Sequence, residues 1–245
     1  MATSLFDKSL QLLWSTFLKS VYPLTCYGCH REGALACPHC LMLVPEPDSQ
    51  TCPLCRAPFS PNGATCTACR SKTALDGVFV ARPYRFRLVT ELIHALKYRF
   101  LEPAHIPLVD LLETSLAHHS LPLPESIIPV PLHPRRLRFR GFNQAELIAR
   151  TLAKRLTPGL PLPVDTTSLR RIRFTKPQMK TETREERQSN LTGAFAATAT
   201  VAGPLVGRYV WLIDDVATTG TTLEACALAL KQAGVKKVWG VVVAR

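Results

Sequence analysis

The chain has 245 residues, 47% apolar and 20% charged, with 30 Lys and Arg against 18 Asp and Glu for a formal net charge of +12. This is an ordinary globular mixture, which excludes wholesale disorder and collagen-like structure, and no apolar run reaches the roughly 20 residues that cross a bilayer. The basic excess points to an anionic partner without naming one.

At the N-terminus, Phe6, Leu10, Leu13, Trp14, Phe17, Leu18 and Val21 recur at helical spacing, and Pro23 ends the pattern. Asp7, Lys8, Gln11 and Lys19 interrupt it, so the stretch reads as a helix packed on the rest of the chain and not as a signal peptide. A cytoplasmic, reducing location and no membrane insertion are therefore expected. In that compartment cysteines serve metals more often than disulfides.

Eight of the nine cysteines then form four CxxC pairs: Cys26/Cys29, Cys37/Cys40, Cys52/Cys55 and Cys66/Cys69. Two thiolates separated by two residues can bite one metal ion, and two such knuckles complete the S₄ tetrahedron that zinc prefers. Two structural zinc ions are expected. Sequential pairing would place one on Cys26, Cys29, Cys37 and Cys40, and the other on Cys52, Cys55, Cys66 and Cys69. Spacing leaves a crossed pairing open, and the same ligands could hold an iron–sulfur cluster. A redox CxxC would be a single motif beside a βαβ pattern, which is not the case here. Two zinc ions bring four positive charges and eight thiolates bring eight negative ones, so the metallated chain falls to about +8.

The composition changes near residues 71–76. Residues 1–74 carry a net charge of +2 and residues 75–245 a net charge of +10. Two domains are expected, an N-terminal helix with a double ribbon (1–74) and an α/β domain (75–245). In the second, residues 78–84 read as a strand, 88–100 and 103–119 as helices, and 127–132 as a short buried strand. Residues 143–156 follow as a helix, 208–213 as a strand, 221–233 as a helix closed by Gly234, and 237–243 as a last strand. Strands alternating with helices of this length imply a parallel sheet with helices on both faces, and ligands bind beyond the strands' carboxyl ends. Cys226 falls on an alanine-rich helix face and reads as a buried thiol.

The stretch Val210 to Thr222 is the most informative. Four apolar residues lead into Asp214 and Asp215, and Ala217, Thr218, Thr219, Gly220, Thr221 and Thr222 then open a helix. Small and hydroxyl residues before a helix N-terminus can wrap a phosphate, and the carboxylates suit ribose hydroxyls or the waters of a Mg²⁺ ion. Upstream, Arg135, Arg136, Arg138 and Arg140 follow a strand and precede a helix, where a pyrophosphate or a nucleic-acid backbone would lie. Phe139 and Phe142 are interleaved with them as candidate stacking aromatics. Residues 170–187, with seven basic and three acidic groups and no apolar period, read as a hydrophilic loop that could close over a site.

The Val210–Thr222 stretch resembles the phosphoribosyl pyrophosphate (PRPP) signature of type I phosphoribosyltransferases. The run from Pro129 through His133, Arg140, Gly141, Phe142 and Asn143 to Leu147 resembles the hallmark of the ComF family of competence proteins. So does the later block Thr175-Lys176-Pro177-Gln178 with Arg187, Asn190 and Gly193-Ala194-Phe195. Phe100, where that family commonly has Gly, is a departure, and so are Lys180 and Thr181.

The resemblance implies a type I phosphoribosyltransferase-like sheet preceded by a double zinc ribbon. It implies PRPP bound with Mg²⁺: Asp214 and Asp215 on the ribose, Ala217 to Thr222 on the 5′-phosphate, and Arg135 or Arg136 on the pyrophosphate. It further implies a role in natural transformation, where incoming single-stranded DNA is received alongside a competence helicase, with Arg135, Arg136, Arg138 and Arg140 as the DNA contacts. Two alternatives stand beside it: an active phosphoribosyltransferase with an unknown acceptor, and a zinc-ribbon scaffold in a housekeeping pathway.

Overall fold

The computed structural model describes residues 24–58, 60–160, 162–173, 193–197 and 208–245. The expected helix from Phe6 to Val21 and most of the 170–187 segment lie outside the described residues. In chain order come α1 (Pro38–Met42), β1 (Gly77–Arg82), α2 (Arg87–Tyr98), α3 (His105–His118), β2 (Ser126–Pro129), α4 (Pro134–Arg140) and α5 (Gln144–Leu156). They are followed by β3 (Leu169–Arg171), β4 (Phe195–Ala197), β5 (Tyr209–Val216), α6 (Thr221–Gln232) and β6 (Lys237–Ala244).

Four parallel strands form the main sheet in the order β1-β6-β5-β2. Successive side chains of a strand point to opposite faces, and the sheet sorts its residues accordingly. Phe79, Ala81, Ile127, Trp211, Ile213, Val241 and Val243 pack under α2, α3 and α5. Val78, Val80, Ile128, Val210, Leu212, Val238 and Val242 pack under α6 and the small antiparallel pair β3–β4. With both faces covered, the strands read as near-continuous apolar runs, and each fully buried Val, Leu or Ile contributes roughly 1.5–3 kcal/mol.

Three local features differ from the sequence expectation. Strand β5 does not stop at Ile213, because β6 keeps pairing with it: Asp214 faces Val242 and Val216 faces Ala244. The arginine run forms a helix of its own between the strand and the helix expected on either side. Pro134 fits its first turn, the His133 ring Nδ1 accepts the Arg135 N–H at 3.2 Å, and Gly141 (φ +85°) closes it. The third is the β3–β4 pair, whose three-residue strands are too short to show a period.

The ribbons are packed onto the sheet. Cys26, Leu35, Ala36, Cys40 and Val44 share one apolar cluster with Phe79, Leu88 and Leu92. The second ribbon lies along β1: the Gln50 side chain donates to Val80 O at 2.8 Å and accepts from Val80 N–H at 3.1 Å, and Ala64 bridges to Gly77. Gly63 makes this approach (φ +84°), since a Cβ there would sit 1.9 Å from Val78 O.

Gly63→Ala should therefore cost well over the roughly 1–2 kcal/mol of the left-handed backbone alone. Gly141→Ala, at φ +85° with nothing within 4 Å of the added carbon, should cost only that strain. Thermal melts of the two variants check the difference, and equal losses would mean that the ribbon does not press on β1.

Candidate functional site

The eight cysteines of the pairs gather as Cys26, Cys29, Cys37, Cys40 and as Cys52, Cys55, Cys66, Cys69, each set with its sulfurs within 4.8 Å of one another. The pairing is sequential. The Sγ atoms of Cys29 and Cys37 lie 3.7 Å apart and those of Cys55 and Cys66 3.8 Å apart, with no disulfide. A tetrahedron with Zn–S bonds near 2.3 Å has edges of about 3.8 Å, so both sets fit structural zinc. Burial raises the Cys26 thiol, but N–H donors from Cys29, Cys37 and Gly28 bring it down to about 6. Cys40 is pushed up to about 12 by burial and its sulfur neighbours. Cys52 and Cys69 repeat the pattern, at about 6 and about 12. Backbone donors hold one thiolate in each set, and the last sulfur gives up its proton only to a cation. The metallated protein should thus hold two zinc equivalents, read with a colorimetric indicator after thiol modification, and Cys55→Ser about one.

At the carboxyl end of β5, strand alternation separates the two aspartates. Asp215 follows Trp211 and Ile213 to the α2 face, where it is buried and its Oδ2 meets Lys97 Nζ at 2.6 Å. Asp214 is turned to the other face, within electrostatic reach of Arg171 on β3 and Cys226 on α6. Its carboxyl is pushed well above the ordinary range, first by desolvation and then by the Asp215 charge, with Lys97 opposing. Desolvation also works against the Lys97 ammonium, but the charges of Asp215 and Asp214 prevail and raise it. Backbone donors complete the corner: Asp215 N–H donates to Asp214 Oδ1 at 2.9 Å, and Val216 N–H to Asp215 Oδ1 at 3.0 Å.

The loop that follows enters α6 through Gly220, whose φ of +81° suits glycine. Thr219 and Thr221 hydroxyls lie 2.9 Å apart at the helix N-terminus, where first-turn N–H groups lack helical partners. Ala217 plays a different part from the residues after it: it is buried, and its N–H is taken by Ala244 O at 3.0 Å. The second ribbon reaches this loop. Arg56 Nη2 donates to Thr218 O at 3.3 Å, and Pro53, Leu54 and Lys72 line a small cleft with Thr219, Gly220 and Thr221. Glu224 of α6 ties the same ribbon down, accepting from Ala74 N–H at 2.7 Å and from the Thr73 hydroxyl.

Of the arginines on α4, Arg140 is drawn inward and donates to Gln144 Oε1. Burial lowers its guanidinium, which lies within electrostatic reach of Asp215 and Asp214. Arg136 is partly buried and acts on Arg171 and His133, while Arg135 and Arg138 are exposed. Desolvation, then Arg171 and the α4 arginines, lower the His133 imidazole, which suits its role as a neutral cap acceptor. Phe139 is exposed as expected for a stacking residue, whereas Phe142 is partly buried against the core. Cys226 is fully buried.

Sequence reasoning missed Lys97, Arg171 and Arg56. Lys97 alone left a readable signal, because Val89, Ile93 and Lys97 fall on one stripe of α2 and a lysine on a buried stripe needs a counter-charge. Arg171 and Arg56 act across long sequence separations that no local pattern carries.

These contacts give the two carboxyls opposite effects on stability. Asp215→Asn leaves Lys97 with an uncompensated charge and should cost about 3 kcal/mol. Asp214→Asn removes the carboxyl whose proton the folded protein holds too tightly, and should leave the melting temperature unchanged or higher. Since that proton is bound more firmly in the folded state, the wild type loses stability as pH rises from the usual carboxylate range through the raised value. Melts across pH for both variants check the assignment, which fails if Asp214→Asn is the more damaging.

No protein-family profile matches the chain. Among curated proteins, it is 39% identical to competence protein F of Haemophilus influenzae over 124 residues, half of this chain and 52% of that protein. It is 31% identical to the DNA utilization protein YhgH of Salmonella typhi over 220 residues, 86% of this chain and 92% of that one. The YhgH of Escherichia coli K12 is 30% identical over the same shares. Among solved structures, the glutamine PRPP amidotransferase of B. subtilis, complexed with ADP and GMP, covers 76% of this chain and 33% of its own, at 16% identity and a TM-score of 0.36.

Two Cys₄ clusters seated on a parallel α/β sheet, with an acidic corner and a small-residue loop at the end of β5, define a ribbon-bearing α/β protein. The chain belongs to the family of competence protein F and the DNA utilization protein YhgH.

Proposed function

We propose that this chain binds PRPP with Mg²⁺ at the carboxyl end of β5 and acts in the cytoplasm in DNA uptake, receiving incoming single-stranded DNA beside a competence helicase. The division into a ribbon unit (1–74) and a PRPP-binding unit (75–245) is part of this reading. The observation that carries it is the acidic corner of β5 followed by a Gly220-hinged loop and a helix N-terminus, ringed by Lys97, Arg140 and Arg171. That corner joins sugar-binding acceptors and phosphate-binding donors in nearly consecutive residues, with cations brought in from α2, α4 and β3.

A divalent cation suits Asp214, a carboxyl held well above its ordinary range by desolvation and by the Asp215 charge beside it. Mg²⁺, when bound, would offset the diphosphate charge. Asp215, already paired with Lys97, would hold the corner in shape. Thr218 to Thr222 would take the 5′-phosphate through hydroxyl and amide donors, and Arg135 or Arg136 the pyrophosphate. The names of the relatives supply the DNA side of the reading, and exposed Arg135 and Arg138 on α4 suit strand phosphates. A second reading, transfer of ribose-5-phosphate to an acceptor, is favoured by Arg136, Arg140 and Lys97 gathered where a departing pyrophosphate would need charge.

Calorimetry of the zinc-loaded full chain with PRPP and Mg²⁺ tests the pocket. Heat of binding is expected, lost in Asp214→Asn and kept in Arg138→Ala; no heat from the intact protein would overturn the reading. On the DNA side, affinity for a single strand should fall with salt at a slope of roughly 0.7 per phosphate contact, and less steeply once Arg135 and Arg138 are replaced.

A further inference from the structure

We propose that Phe100 and Phe139, with Tyr98 beside them, form a stacking platform for a base of single-stranded DNA at the rim of the acidic site. The proposal rests on the DNA reading above and adds to it the place where a base would sit.

Phe100 is the residue just past α2, and it adopts φ +54°. Leu101 N–H reaches back six residues to Ala95 O at 3.0 Å, a helix closure whose left-handed position is usually glycine because any Cβ is strained there. A bulky ring in that backbone is an outlier. The ring is not held there by burial, since Phe100 is 40% exposed. Its partner is Phe139, which is 79% exposed, with ring centroids 5.5 Å apart and planes at 82°. Tyr98, two residues before Phe100, is 67% exposed. Three largely exposed aromatic rings thus stand together in the chain's fold at this rim, Phe100 and Phe139 edge to face with each other and Tyr98 edge to face with His94 at 5.4 Å, and none of the three is buried among the described residues.

Their surroundings select the ligand. Phe139 lies between Arg138 and Arg140 on α4, which also carries Arg135 and Arg136. Lys97, adjoining Tyr98 in the chain, grips Asp215, and Arg140 lies in electrostatic reach of both Tyr98 and Asp215. An apolar platform hemmed by guanidinium groups matches a strand that alternates flat π-faces with anionic links. A duplex hides its base faces inside the stack, so the occupant is single-stranded. The edge-to-face pair leaves ring surface outward for a base, while the α4 arginines meet the phosphates on either side.

The test uses the zinc-loaded full chain and a fluorescein-labelled oligothymidine of about 20 nucleotides, longer than the roughly 4–16 that one such groove covers. Phe100→Gly and Phe139→Ala should each weaken binding at least about fivefold, with the salt slope unchanged because no charge is lost. Phe100→Gly should melt no lower than the wild type, since glycine relieves the backbone, which separates lost stacking from lost folding. An abasic strand of equal length should bind the wild type and the double variant alike. The platform is overturned if the double variant binds the normal strand as the wild type does, or if it loses normal and abasic strands equally. It is also overturned if free thymidine monophosphate, and not the strand, senses the two rings. A wild type with no affinity for any strand at low salt sinks the DNA reading itself. Loss through Arg135 and Arg138 alone leaves that reading standing and removes the platform.

Discussion

The period of two in β5 governs the site. Consecutive residues of a strand face opposite ways, so the two adjacent aspartates at its end meet different surroundings. Asp215 is committed to the α2 face, where Lys97 at 2.6 Å makes its burial tolerable. Asp214 is left on the α6 face with its proton held tightly. The ion pair secures the end of α2, and with it the start of the aromatic rim. The unpaired carboxyl remains the group with chemistry to offer. In this acidic doublet the two carboxylates thus differ in their partners, and which of them is ion-paired is set by the face that carries the lysine.

The ribbons belong to this arrangement more than their composition suggests. The first contributes Cys26, Cys40 and Val44 to the core under α2, so its fold and that of the helix bearing Lys97 are coupled through shared packing. The second meets the phosphate-type loop through Arg56 and α6 through Thr73 and Ala74. Each cluster keeps one thiol lowered by backbone donors and one raised by burial and its sulfur neighbours, which a cation would bring down. Metal binding thus orders segments that end at the loop on one side and at α2 on the other.

Much of this was legible in the sequence, for identifiable reasons. The CxxC spacing named the ligands, although it left their pairing open until the sulfurs were seen to gather in sequential sets. The apolar runs gave the parallel strands, and the Asp214–Thr222 stretch gave the corner, because its chemistry lies in consecutive residues. The end of β5 was misplaced, since a strand's length depends on its neighbour β6 and not on its own polarity. The α4 helix was not foreseen because its proline and histidine cap act locally in ways that a run of arginines obscures. Phe142 was counted as open because a polar neighbourhood in sequence does not reveal which rings turn inward. Lys97, Arg56 and Arg171 escaped because each meets its partner across more than forty residues, and only Lys97 lay on a stripe that betrayed it.

The clasp between Gln50 and Val80 has a consequence beyond local packing. Strand β1 is the outer strand of the main sheet, all six of its residues are buried, and the second ribbon lies along it. Stripped of metal, that ribbon would no longer shield a row of backbone donors and acceptors flanked by apolar side chains, the surface on which chains add to one another as strands. Zinc at Cys52, Cys55, Cys66 and Cys69, when bound, would keep that edge covered. Oxidation or chelation would then appear first as aggregation nucleated at β1, ahead of any general unfolding of the sheet.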